Sequence, residues 1–224
     1  MILSALRTPT RRFGIIFLWT SALYVIYQLT NHLHLVAPRM LPVTAIDRAI
    51  PFLSWTVVPY FVLILGMYLP GLVRERRLFL RTLAALTIAV LLNYAIFALC
   101  PTIYPRPDPP TGMAFYDHWY RWLVSIDTPA NCFPSGHITA PAIGCWALAQ
   151  EHRRQRWIIR LLFIPFALTI LTTKQHYLWD LFGGLATAAI GISLTWRLRT
   201  PTTPFAQPSC VAGPVPEDGQ GRKR

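Results

Sequence analysis

Long apolar blocks, separated by short arginine-rich or polar connections, restrict the fold of this chain more than any other feature. Hydrophobic residues make up 54% of the 224 residues and charged residues only 13%, which is too apolar for an ordinary soluble domain. A transmembrane helix needs about 20 mostly apolar residues, and several blocks reach or approach that length. The sequence therefore predicts an all-α integral membrane six-helix bundle, with spans at residues 13–29, 52–73, 78–99, 138–150, 157–173 and 177–196.

The two ends of the predicted membrane domain are set by different signals. Arginines precede the first block, as in a signal peptide, but the block is longer than a typical signal core. No small-x-small cleavage site clearly follows it, so we expect a retained span. The tail at residues 200–224 is rich in Pro, Gly and Thr, a composition typical of disorder. The membrane domain is therefore expected to cover residues 1–199.

A polar, proline-rich connection at residues 100–133 separates the third span from the fourth. Within it, residues 115–126 have aromatic and apolar side chains at the spacing of a short interfacial helix. Asp127 and Asn131 are expected to brace the end of this connection. The last span carries small residues suited to close helix packing, namely Gly183, Gly184, Ala188 and Gly191.

Basic residues are distributed unevenly over the connections. The two termini and every second connection carry 16 Lys and Arg residues, and the remaining connections carry five. Because cytoplasmic loops hold the excess of Lys and Arg, both termini are predicted to lie in the cytoplasm. The same distribution accounts for the net charge of +12 without a nucleic-acid partner.

Two histidines are placed on one membrane face by this topology. His137 lies at the outer start of the fourth span, His176 at the outer start of the sixth, and Arg106 in the connection before the fourth. Counting crossings puts all three on the non-cytoplasmic side. Asp180 follows His176 by four positions, so the two share a face of a helix.

Asp180 is the one acidic residue within a predicted apolar span, a setting in which charge is costly and usually functional. Its carboxylate could accept a hydrogen bond from one imidazole nitrogen of His176 and leave the other nitrogen free to attack. The alternative is a His–Asp pair that only ties two helices together.

The segment Pro134–His137 (P-S-G-H) opens the fourth span. Ser135 could cap the helix, and Gly136 would let a ligand approach the backbone. Free N–H groups and the helix dipole favour an anion at such a position, and His137 could protonate a leaving oxygen. The alternative is an ordinary helix start with an unrelated histidine.

Together, these segments resemble the type 2 phosphatidic acid phosphatase superfamily, whose members are membrane lipid phosphatases and phosphotransferases. The family has three motifs: K-x6-R-P, P-S-G-H and S-R-x5-H-x3-D. The second is complete at residues 134–137, the third retains His176 and Asp180, and Arg106-Pro107 matches the end of the first.

Two basic residues of the family pattern are replaced in this chain. The lysine of the first motif would fall at Leu99 and the arginine of the third at Ile170; Lys174 is a candidate substitute for one of them. The string H-Y-x-x-D-x-x-G, from His176 to Gly183, is similar to the branch that contains inositol phosphorylceramide synthases and related bacterial proteins.

The resemblance implies a role for each site residue. His176 would attack phosphorus and become phosphohistidine, Asp180 would orient it, and His137 would protonate the leaving group. The phosphate oxygens would be bound by Ser135, Gly136, Arg106 and Lys174. It implies no metal ion and no other cofactor.

The function implied is a membrane lipid phosphatase acting in the outer leaflet. Its substrate would be a phosphate or diphosphate monoester of a lipid: a phosphatidate-type lipid, a polyprenyl phosphate or a glycolipid phosphate. The alternatives are a phosphotransferase that moves a phospho-headgroup to a lipid or sugar hydroxyl, and a non-catalytic lipid transporter. The expected location is a bacterial inner membrane, with the site facing the periplasm or exterior.

Cysteines at both ends of the long connection, Cys100 and Cys132, are predicted on the outer face. Cys145 lies in a span and Cys210 in the tail. An oxidising compartment would therefore permit one disulfide, between Cys100 and Cys132; two free thiols are the alternative.

Overall fold

The computed structural model describes residues 8–32 and 35–197. The regular secondary structure in this part of the chain is helical apart from one pair of two-residue strands. Its elements are, in order, α1 (Pro9–His32), β1 (Arg39–Met40), α2 (Ala45–Ala49), α3 (Val57–Leu65), α4 (Arg76–Leu99), β2 (Thr102–Ile103), α5 (Phe115–Ile126), α6 (Gly136–Glu151), α7 (Arg156–Thr172) and α8 (Leu178–Arg197).

Each predicted span corresponds to a helical segment, but the segments differ in length. Within the described residues, four are long and apolar enough to cross a membrane: Pro9–His32, Ser54–Leu72, Arg76–Leu99 and Leu178–Arg197. Helices α6 and α7 have 16 and 17 residues, short of the about 20 that a span needs. The helices are those of an integral membrane protein, while the count of six spans and the cytoplasmic termini remain predictions.

The second segment is interrupted rather than uniformly helical. A 3-10 turn at Ser54–Thr56 leads into α3, and a 3-10 stretch at Gly66–Leu72 containing Pro70 follows it. Pro59 lies in the first turn of α3, where a missing N–H costs no hydrogen bond. The departure from α-helix therefore begins at Gly66, where a Cβ would lie 2.9 Å from Cβ of Pro141 on α6.

Glycines on α8 allow close packing against its neighbours, as the sequence predicted. A Cβ on Gly184 would lie 2.6 Å from the carbonyl oxygen of Ser135, and one on Gly191 would lie 2.5 Å from that of Ala85. The start of α8 therefore lies directly against the start of α6. This contact is completed by the Ser135 N–H, which donates to the Asp180 carbonyl over 3.1 Å.

The connection between α4 and α6 folds over one end of the helices. β2 pairs in parallel with β1, with Arg39 opposite Thr102, and α5 has the predicted bounds. Arg106 forms an ion pair with Asp127 (Nη2 to Oδ2, 2.8 Å), so Asp127 braces the connection as expected. The tail and its predicted disorder lie outside the described residues.

The predicted disulfide between Cys100 and Cys132 is not formed in the structure. Both are free thiols, Cys100 exposed and Cys132 buried. The Cys132 Sγ lies 3.3 Å from the Pro129 carbonyl oxygen, to which it donates, and burial raises the pKa of this thiol above its usual range. Cys210 lies outside the described residues.

Candidate active site

Residues from two distant parts of the chain meet at the starts of α6 and α8. The Nε2 atom of His176 lies 3.3 Å from Ser135 Oγ and 3.3 Å from His137 Nδ1. This juxtaposition follows from the close approach of the two helix starts at Gly184. The two histidines that the sequence placed on one membrane face are therefore in direct contact.

His176 and Asp180 form the predicted contact, although His176 precedes α8 instead of lying within it. The His176 Nδ1 atom is 3.1 Å from Asp180 Oδ2 and 3.1 Å from the Cys132 carbonyl oxygen. Both partners can only accept, so Nδ1 carries the proton and Nε2 of neutral His176 has a free lone pair. Asp180 is fully buried and also accepts the Tyr177 N–H over 2.9 Å, which holds the carboxylate in place.

The start of α6 differs from the prediction in one respect. Ser135 precedes the helix but its side chain makes no capping hydrogen bond; the hydroxyl lies against His176 instead. At Gly136, a Cβ would meet no atom within 4 Å, so the backbone faces open space. The helix start thus combines the positive end of its dipole with a hydroxyl and an accessible backbone, which is suited to an anion.

Tyr60 is a member of this cluster that the sequence did not reveal. Its hydroxyl oxygen lies 2.9 Å from His137 Nδ1, and its ring packs edge-on against the imidazole with centroids 5.4 Å apart. Tyr60 lies on α3 inside an apolar block, 77 residues before its partner. A tyrosine in such a block is indistinguishable from a packing residue until the fold brings it to a histidine.

The two predicted basic ligands have different positions. Arg106 lines the same cavity as the histidines, but its terminal nitrogens bond Asp127 and the Thr128 carbonyl. Lys174 is not among the residues that line this cavity. Its Nζ donates to the Asp47 carbonyl over 2.7 Å, and desolvation by burial lowers its pKa. The structure therefore does not bring Lys174 to the site.

A mostly apolar cavity of about 380 Å³ adjoins the two histidines. It extends from Gly136, His137 and His176 into the space between α1, α3, α4 and α5. Its apolar surface comes mainly from large side chains, among them Trp19, Leu23, Phe61, Phe97 and Trp122. An apolar group connected to a phosphate at the histidines would have space here.

Three donor atoms, on Cys132, His176 and Asp180, lie within 4.8 Å of one another, close enough to consider a metal ion. The His176 Nδ1 proton, however, is already directed at Asp180. The Cys132 Sγ likewise donates to the Pro129 carbonyl oxygen over 3.3 Å. These three residues fit a hydrogen-bonded cluster better than a metal site, and a reaction without metal remains the prediction.

Comparison with known protein families agrees with the motifs. A sequence model described as the PAP2 superfamily matches residues 25–194, more than half of the chain, including Tyr60 and all the residues around the histidines. Comparisons with curated proteins and with solved structures give no match. The similarity to inositol phosphorylceramide synthases is not confirmed. Members of this superfamily are generally phosphatases acting on phosphate esters. The chain belongs to the PAP2 superfamily, the type 2 phosphatidic acid phosphatases.

Proposed function

We propose that this protein is a membrane lipid phosphatase that hydrolyses a phosphate or diphosphate monoester of a lipid through a phosphohistidine intermediate. The observation that carries the proposal is the set of contacts made by the two ring nitrogens of His176. Its Nδ1 is held by Asp180, and its Nε2 lies beside Ser135 and His137 at the end of an apolar cavity. An oriented imidazole with one free nitrogen is the arrangement that nucleophilic catalysis requires.

The reaction follows from the positions of these groups. His176 Nε2 attacks phosphorus, the bond to the leaving oxygen breaks, and His137 protonates that oxygen. Asp180 stabilises the positive charge that develops on His176. The Ser135 hydroxyl and the Gly136 N–H bind phosphate oxygens, and Arg106 contributes positive charge at the cavity wall. Water then attacks phosphorus, the nitrogen–phosphorus bond breaks, and phosphate is released as the neutral His137 takes a proton from the water.

The lipid nature of the substrate is supported by the cavity. Its walls are mostly apolar and come largely from helices long and apolar enough to cross a membrane, while His137 and His176 are at one end. A phosphatidate-type lipid, a polyprenyl phosphate or a glycolipid phosphate would place its chain in the cavity and its phosphate at His176. We propose that the site faces the periplasm or exterior of a bacterial plasma membrane, as the arginine distribution indicates.

The test is phosphate release from a panel of phospholipids and polyprenyl phosphates by purified protein in detergent. We expect release that needs no acceptor alcohol and no added metal, and that vanadate inhibits. His176→Ala should abolish it. His152→Ala is the matched control, because His152 is an exposed histidine just after α6, at the end away from the site. Unchanged phosphate release by His176→Ala would refute the assignment of His176 as the nucleophile.

A non-catalytic lipid-binding protein is the rival that the structure favours most. Both basic side chains expected at the phosphate are engaged by protein groups, Arg106 by Asp127 and Lys174 by Asp47. This rival predicts lipid binding with no phosphate release from any member of the panel.

A phosphotransferase is the second rival, suggested by the H-Y-x-x-D-x-x-G string. Gly183, the last residue of that string, has a packing explanation, because a Cβ there would lie 2.5 Å from the Phe133 ring. The glycine therefore does not itself indicate transfer. A product that forms only when an acceptor alcohol is added would favour this rival over hydrolysis.

A further inference from the structure

The Tyr60 hydroxyl is in contact with His137. Tyr60 is fully buried on α3, and its oxygen lies 2.9 Å from His137 Nδ1. Among the described residues, the hydroxyl has no other hydrogen-bond partner. Burying a hydroxyl costs free energy unless the hydroxyl is hydrogen-bonded. This contact therefore favours one relative orientation of the Tyr60 ring and the His137 imidazole.

The protons around the two histidines can be assigned from their partners. His176 Nδ1 faces two acceptors and carries a proton, so Nε2 has the lone pair that attacks. His137 Nδ1 lies 3.3 Å from that lone pair and 2.9 Å from the Tyr60 oxygen. If the Nδ1–H of His137 donated to His176, it would occupy the electron pair that the reaction needs.

We propose that Tyr60 is a positioning residue that accepts the Nδ1–H of His137. This keeps the His176 lone pair available and makes Nε2 of His137 the nitrogen that exchanges a proton with the leaving oxygen. The inference rests on the proposed phosphatase function. Tyr60 itself acts through His137 and does not need to contact the substrate.

His137 gives a proton in the first step and recovers one in the second. In the first, the His176 Nε2 lone pair forms the nitrogen–phosphorus bond, and the electrons of the phosphorus–oxygen bond move to the leaving oxygen. That oxygen takes the Nε2 proton of the His137 imidazolium, which becomes neutral with Nδ1–H still on Tyr60. In the second step, a water oxygen bonds phosphorus, the nitrogen–phosphorus bond breaks, and its electrons return to Nε2 of His176. Nε2 of His137 takes a proton from that water, which restores the imidazolium.

The experiment compares Tyr60→Phe with Tyr120→Phe. Tyr120 is also fully buried, lies outside the cavity lining, and donates to the Thr173 carbonyl, so it controls for the loss of a buried hydroxyl. Each change is made in the wild type and in His137→Ala. Two substrates are used: dodecyl phosphate, whose leaving oxygen needs a proton, and 4-nitrophenyl phosphate, whose leaving oxygen needs little help.

We expect Tyr60→Phe to lower kcat for dodecyl phosphate on the order of tenfold, with a smaller loss for 4-nitrophenyl phosphate and little change in KM. Tyr120→Phe should leave both rates near those of the wild type. In the His137→Ala protein, Tyr60→Phe should cause no further loss, because a residue that acts only through His137 has nothing left to act on.

Three outcomes would overturn the inference: no loss with Tyr60→Phe, an equal loss on both substrates, or the same loss with and without His137. The ratio of the two rates on one sample does not depend on the folded fraction, so a destabilised Tyr60→Phe protein still gives a decisive result. A wild-type protein inactive on every phosphate ester would refute the proposed function, and this inference with it. Activity in the wild type that Tyr60→Phe leaves unchanged would refute the inference alone.

Discussion

Replacing Asp180 by Asn tests how far the reaction depends on a negative charge behind His176. The carboxylate is fully buried, and its Oδ2 accepts from both His176 Nδ1 and the Tyr177 N–H. The amide oxygen of Asn has the same shape and could accept both bonds. The change therefore removes the charge and leaves the hydrogen-bonded geometry nearly intact.

The expected fall in kcat can be calculated approximately from the distance between His176 and Asp180. Two unit charges about 4 Å apart interact by about 4 kcal/mol at an effective dielectric constant of about 20. His176 Nδ1 and Asp180 Oδ2 are 3.1 Å apart, but the imidazole gains only part of a full charge as its nitrogen bonds phosphorus. A loss of about 3 kcal/mol corresponds to a fall in kcat of about 100-fold.

The assay is phosphate release by Asp180→Asn at saturating substrate, with KM measured alongside. Asp117→Asn is the control, since Asp117 is another buried carboxylate, on α5, which accepts a hydrogen bond from Ser54 over 2.8 Å. We expect kcat to fall in Asp180→Asn alone, with little change in KM. A kcat for Asp180→Asn close to that of Asp117→Asn would refute charge stabilisation of His176.

Two further substitutions test the packing and the assignment of basic residues. Gly184→Ala would place a Cβ 2.6 Å from the Ser135 carbonyl oxygen, so we expect a destabilisation of about 1–3 kcal/mol and a lower Tm. Gly14→Ala is the control: its Cβ would meet nothing within 4 Å, so the Tm should not fall. An unchanged Tm in Gly184→Ala would contradict the close approach of α8 to α6. Lys174→Ala should release phosphate with a KM near the wild-type value, because its ammonium bonds Asp47 outside the cavity. A KM raised tenfold or more would instead show that Lys174 binds the phosphate.

The parts of the site that the sequence revealed are those determined by local spacing. His176 and Asp180 are four positions apart and form their contact, even though α8 starts only at Leu178. The P-S-G-H segment starts a helix as expected. Short-range geometry of this kind depends on a few backbone dihedral angles, so residue order is enough to predict it.

Other features depend on the direction of single side chains, which the sequence does not determine. Lys174 adopts a positive φ of 50°, and its side chain reaches α2, not the histidines. Ser135 turns its hydroxyl to His176 rather than to its own helix. The direction of each side chain depends on which hydrogen-bond partner lies within about 3 Å. The partners are supplied by chain segments far away in the sequence.

The sequence by itself determined the helical membrane architecture and the contact between His176 and Asp180, because apolar length and i to i+4 spacing act within one segment. Only the tertiary structure decided that Tyr60 holds His137, that Arg106 is paired with Asp127, and that the cavity at the histidines is apolar. Tyr60 and His137 lie on different helices, whereas Arg106 and Asp127 both lie in the connection between α4 and α6. The partners are 77 and 21 residues apart in the sequence, so these contacts depend on how separate segments pack together, which no local sequence pattern records.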